Sequence, residues 1–150
     1  MADGYAVQSE VSSRIEGIRV ADVMDSEPVA IPVDASVERA LDEFFHRYRW
    51  PWFPVVDSSD HFQGLIVREV ADSAPDTSRV GDVFEVDSGG TLRVRDDAPL
   101  ESLLGNDALR RLGGLAAVDA DGRLRGVITA DQVGRALREA ISITPQRGGS

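Results

Sequence analysis

Four short blocks of this chain occur twice, in the same order and at nearly constant spacing, which restricts it to folds made of two copies of one unit. Arg19-Val20-Ala21-Asp22-Val23-Met24 returns as Arg79-Val80-Gly81-Asp82-Val83-Phe84, 60 positions later. Asp34-Ala35-Ser36-Val37-Glu38 returns as Asp97-Ala98-Pro99-Leu100-Glu101, 63 positions later. Pro54-Val55-Val56-Asp57 matches Ala116-Ala117-Val118-Asp119, and Phe62-Gln63-Gly64-Leu65-Ile66-Val67 matches Leu124-Arg125-Gly126-Val127-Ile128-Thr129, both with an offset of 62. Ser, Pro, Asp and Thr gather at 73–78 in a linker-like stretch. The expected organisation is a first unit at 18–74 and a second at 75–143, flanked by a partly disordered segment 1–17 and a disordered tail 144–150.

Each copy reads β-α-β-β-α. Val37, Ala40, Leu41, Phe44, Phe45 and Tyr48 recur at helical spacing and mark one face to be buried. Leu100, Leu103, Leu104, Ala108 and Leu112 repeat the stripe behind the helix-start signals Asp97 and Pro99. Two short apolar runs follow each helix, 53–57 with 62–67 and 115–119 with 123–128. Asp57-Ser58-Ser59-Asp60 and Asp119-Ala120-Asp121-Gly122 join them as hairpin turns. Val133, Ala136, Leu137, Ala140 and Ile141 give a last helix its apolar face. The fold class is therefore α+β, two small mixed sheets with helices against them in a pseudo-twofold arrangement. Helix faces left apolar after the units pack favour a homodimer.

The formal net charge of −10 and pI of about 4.6 oppose a phosphate backbone or an anionic lipid surface. Neither nucleic-acid binding nor direct membrane contact is expected. The chain has no cysteine, which removes disulfides, thiolate metal sites and cysteine nucleophiles. No apolar run approaches the roughly 18 residues of a membrane span, and residues 1–10 lack the features of a signal peptide. The two histidines, His46 and His61, stand in no metal-ligand pattern. With no Ser-His-Asp set, catalytic carboxylate pair or glycine-rich phosphate loop recognisable, the chain reads as non-catalytic and without a metal site.

The order of these blocks, "VADVM", an acidic helix start, "PVVD", a turn, then "GLIV" or "GVIT" and a helix, resembles the cystathionine-β-synthase (CBS) domain. Two in tandem form a Bateman module, and the match covers roughly residues 18–141. Arg47-Tyr48-Arg49-Trp50 leading into Phe53-Pro54-Val55, and the stretch from Pro99 to Gly113, are similar to the CBS pair of actinobacterial site-2 proteases. Those enzymes are membrane zinc metallopeptidases with a HExxH motif, which this chain lacks. The resemblance implies a regulatory module on the cytoplasmic side of a membrane, coupled to such a protease domain in the same full-length protein.

In CBS pairs the cleft between units can hold adenine nucleotides, which implies AMP, ADP, ATP or S-adenosylmethionine as candidate ligands. The first strand and the start of the "PVVD" strand then supply contacts to the base, here Ile31, Val94, Trp52, Phe53, Leu115 and Ala116. A hydroxyl ending the last strand, with an Asp three residues on, binds the ribose diol. This chain departs from that pattern. Thr129 is in place, but Gln132 stands where the Asp belongs and Asp131 comes one residue early. In the first copy Val67 and Val70 replace both groups, so that ribose site is lost. For Thr129 the alternative is that it only caps the final helix. Trp52 is a stacking wall of the first cleft or Trp50 a contact to a partner chain, unless both simply pack where a helix hands over to a strand. Arg47 and Arg49 could meet a phosphate at the cleft mouth, against a solvated helix end as the default. The alternative to ligand sensing is a ligand-free dimerisation and interaction scaffold.

Overall fold

The computed structural model describes residues 17–149, with side chains through residue 140. Strands β1 (Ile31–Pro32), β2 (Trp52–Val56), β3 (Phe62–Val67) and β4 (Glu85–Val86) form one sheet in that order. Strands β5 (Arg93–Arg95), β6 (Gly114–Val118) and β7 (Leu124–Thr129) form another. In each sheet the first strand is parallel to the second and the second antiparallel to the third. All five residues of β2 and all five of β6 are buried, which is why they read as continuous apolar runs.

The 62-residue offset holds in three dimensions. Val56 pairs with Phe62 and Val118 with Leu124, each just after a bulge at the same place. Val56 and Val118 occupy matching buried positions, as do Ile66 and Ile128. The α+β architecture with two related sheets is the one expected.

The two copies exchange their opening segments. Helix α1 (Val20–Val23) precedes the first sheet in the chain, yet Val20 packs with Leu92, Leu100, Leu115 and Ile128 of the second. The later α5 (Val80–Val83) sends Val80 into the first core beside Ile31, Val37, Phe45 and Phe53. The backbone follows: Val20 N–H donates to Ala98 O (2.9 Å), and Val80 N–H to Ala35 O (2.8 Å). Strand β4 consequently pairs with β3, and Asp25 bridges Val127 in the equivalent place. The crossings explain a glycine of the repeat. A Cβ on Gly126 would lie 2.5 Å from Asp25 O, and one on Gly64 would collide with Glu85 O. Spatially, then, each of the stretches 18–74 and 75–143 lends its first turn to the other, which a pattern local in sequence does not reveal.

Two helices depart from expectation. Helix α2 (Val37–Ala40) widens over Leu41–Phe45, where His46 N–H reaches back five residues to Leu41 O, and then continues as α3 (His46–Tyr48). The wider turn buries Phe45 fully, while Tyr48 at the end of the expected stripe is 37% exposed. The first unit closes with a short helix, α4 (Arg68–Ser73). In the second copy the single expected helix is broken into a tight 3-10 turn, Leu100–Leu103, and α6 (Asp107–Leu112). Gly105, at φ 78°, makes the break, and the Asn106 side chain starts the new helix by accepting from Leu109 N–H (2.8 Å). Leu104 is thereby turned to solvent, and Leu109 takes its place in the core. Helix α7 spans Ala130–Gly149. Its start is firmly capped, and helix once nucleated propagates at little cost per residue. The segment 1–16 lies outside the described residues.

Candidate functional site

The cleft forms where two helix-to-strand junctions meet. Helix α3 ends on Arg49, in the left-handed conformation (φ 58°), and α6 ends on Gly113 (φ 77°). Gly113 leads directly into β6, whereas Trp50 and Pro51 intervene before β2. Trp50-Pro51 is thus a two-residue insertion of the first copy, and it walls a cavity of about 320 Å³.

Both tryptophans of the chain line this cavity. Trp52 is buried and crosses from the first sheet into the second core. Its indole Nε1–H donates to Leu112 O at 2.9 Å, and its ring rests where Gly114 has no side chain: a Cβ there would come within 2.9 Å. Trp50 stacks on Phe53 with ring centroids 5.1 Å apart, so it packs at the junction and faces the cavity at once. Pro28, Pro51 and Pro54 add rigid apolar surface. Thr129 and Gln132 supply the polar side from the second unit, and Asp25 comes from the exchanged segment.

Thr129 and Gln132 form a reciprocal cap on α7. Gln132 N–H donates to Thr129 Oγ1 (3.1 Å), and Thr129 N–H donates to Gln132 Oε1 (2.8 Å). The backbone donor fixes which end of the amide is oxygen. That oxygen already accepts one bond, from the helix cap, and has a second lone pair. Thr129 O–H and the Gln132 amide N–H groups are the donors without a partner among the described residues.

Of the residues expected at a ligand, the cavity brings together Trp52, Thr129 and Gln132. Ile31, Phe53, Leu115 and Ala116 do not line it; all four are wholly buried in the two cores. Val94 is half-buried on β5, and Asp131 points to solvent at the start of α7. Asp25, Pro28, Leu112, Gly113 and Val127 were missed. Asp25 directly follows the Arg19–Met24 block, but its place depends on the exchange of segments. The equivalent first-copy positions, Val67 and Val70, line neither this cavity nor the shallower groove at Leu104 and Leu109. Among the described residues no group of three or more His, Asp or Glu could hold a metal, and no helix is long and apolar enough to cross a membrane.

Comparison with known proteins agrees with the geometry. The CBS-domain family model matches residues 20–69. A protein described as "Putative zinc metalloprotease Rip3" from Mycobacterium tuberculosis is 29% identical over 144 residues, covering 89% of this chain. The chain spans 36% of that relative's length. The CBS-pair protein CBSX2 of Arabidopsis thaliana superposes with a TM-score of 0.70 at 26% identity, over 86% of this chain and 98% of that one. The cytosolic domain of the Mg2+ channel MgtE, in complex with ATP, gives a TM-score of 0.69 at 26% identity, over 84% of this chain and 51% of that one. CBSX2 in complex with AMP gives 0.66 at 25% identity, over 85% and 99%. The CBS-domain model thus matches the first unit, the same pattern recurs in the second, and the chain as a whole is similar in fold to CBS-pair proteins.

Proposed function

We propose that this chain is a regulatory module that senses a small adenine-bearing ligand in the cleft bordered by Thr129 and Gln132. One observation carries the reading: that polar pair shares a cavity with both tryptophans, and the walls come from both units. A planar base between aromatic surfaces, with polar donors at one side, is the occupant such a site suits. Structural relatives in complex with AMP and with ATP support the ligand class. A ligand held by both units favours one relative placement of them, which is the way binding becomes a conformational signal. The match to a metalloprotease over 36% of its length supports a protease domain in the same full-length protein as the receiver of that signal. In this reading the module acts as a homodimer on the cytoplasmic side of the membrane, and the chemistry belongs to the receiver.

A second reading has its own support. The cap already uses Thr129 Oγ1 and Gln132 Oε1, as a ligand-free scaffold would require. Thermal melts with AMP, ADP, ATP and S-adenosylmethionine separate the two. A ligand specific for the folded state, at 100 times its dissociation constant, adds about 2.7 kcal/mol. The sensing reading expects a shift that Thr129→Val abolishes and Thr129→Ser retains. If none of the four compounds shifts the melt, the scaffold reading prevails.

A further inference from the structure

The charges around the cleft bear on which adenine compound fits, granted the sensing reading above. Asp25, exposed and accepting from Glu27 N–H through Oδ1 (3.0 Å), is the one acidic side chain among its lining residues, and no Lys, Arg or His is present there. Three neighbouring guanidinium groups have contacts elsewhere. Arg47 lies over the Tyr48 ring (5.6 Å), Arg68 pairs with Asp72 (3.7 Å), and Arg111 reaches Glu85 (3.9 Å). Arg49 is exposed and does not line the cavity. The start of helix α7, which would otherwise attract an anion, is already answered. Ala130 N–H donates to Gly113 O (2.9 Å), Gln132 N–H is taken by Thr129, and Asp131 sets a carboxylate in the first turn.

A phosphate in this cleft would thus face a carboxylate and no counter-cation, in a chain of net charge −10. A neutral sugar loses nothing there, and a cation gains twice, from Asp25 and from the indole faces. We infer that the cleft selects adenine ligands without phosphate, a nucleoside or its sulfonium-bearing derivative, over AMP, ADP and ATP. Thr129 O–H and the Gln132 amide then donate to ring nitrogens or sugar oxygens, and Asp25 sets the charge preference.

Isothermal titration of the whole chain with adenosine, S-adenosylmethionine, AMP and ATP tests this. Adenosine and S-adenosylmethionine should each bind roughly fivefold more tightly than AMP, because a unit charge about 4 Å from an exposed carboxylate such as Asp25 is worth about 1 kcal/mol. ATP should bind more weakly still, and added salt should narrow the gap by screening. Asp25→Asn should shrink the preference, and Asp25→Lys should reverse it in favour of AMP. AMP or ATP binding more tightly than adenosine overturns the selectivity and leaves adenine sensing standing. No binding by any of the four overturns both.

Discussion

Gly126→Ala tests the exchange of opening segments, on which the cleft depends. An added Cβ would lie 2.5 Å from Asp25 O and 2.6 Å from Met24 Sδ, well inside van der Waals contact. The sulfur could move aside; the carbonyl could move only with its backbone. Asp25 and Val127 exchange two backbone hydrogen bonds there, of 2.9 and 3.1 Å. Overpacking costs about 1–3 kcal/mol, and losing those two bonds about another 1–3 kcal/mol. The expected loss is therefore about 2–6 kcal/mol, a fall in Tm of roughly 5–20 °C at this chain length. Gly89→Ala is the control, because its Cβ would meet nothing nearer than Thr91 Cγ2 at 3.8 Å. Urea and thermal unfolding of the two variants give the comparison. A Gly126→Ala variant within 1 kcal/mol of the parent would mean that the segment at Met24–Asp25 does not cross β7 as described.

The broken helix of the second copy predicts opposite results from adjacent leucines. Leu103→Ala, at a buried position, should cost about 2–5 kcal/mol, and Leu104→Ala, 43% exposed, less than about 1 kcal/mol; equal losses in urea melts would restore an unbroken stripe. The hairpin aspartates predict an acid limb. His61 N–H holds the Asp57 carboxyl below its ordinary value of 3.8, and Arg123 N–H does the same for Asp119. A depressed folded-state value gives stability that is present above the unfolded value and lost as pH falls through the folded one. Stability should therefore fall below about pH 4, and the Asp57→Asn, Asp119→Asn double variant should fall less steeply. An unchanged acid limb would contradict that assignment.

The sheets were legible in the sequence because their register and burial are local: a run such as Trp52–Val56 carries its own pattern, and its copy 62 residues later confirms it. The aromatic cluster around Phe53 was partly legible, since Phe44 and Phe45 announce a buried helix face. The cleft was legible only where the repeat singles out residues, at Thr129, Gln132 and Trp52. Its remaining walls depend on where distant segments cross. Asp25 reaches the cavity because α1 packs on the other copy's sheet. Phe53 and Leu115 were expected at the ligand because they begin their strands. Both are buried in the cores, and the two-residue insertion of the first copy sets Trp50 and Pro51 at the cavity wall.

Amide and indole NMR spectra recorded during an adenosine titration locate the ligand between the two copies, because the pseudo-symmetry supplies an internal control. Binding at this cleft should give saturable shifts, at one ligand per chain, of the Trp52 indole N–H and of the Thr129 and Gln132 backbone amides, while the amides of Val67 and Val70 stay in place. Shifts centred on Val67 and Val70, or no shift at Trp52 at any concentration of adenosine, would contradict it.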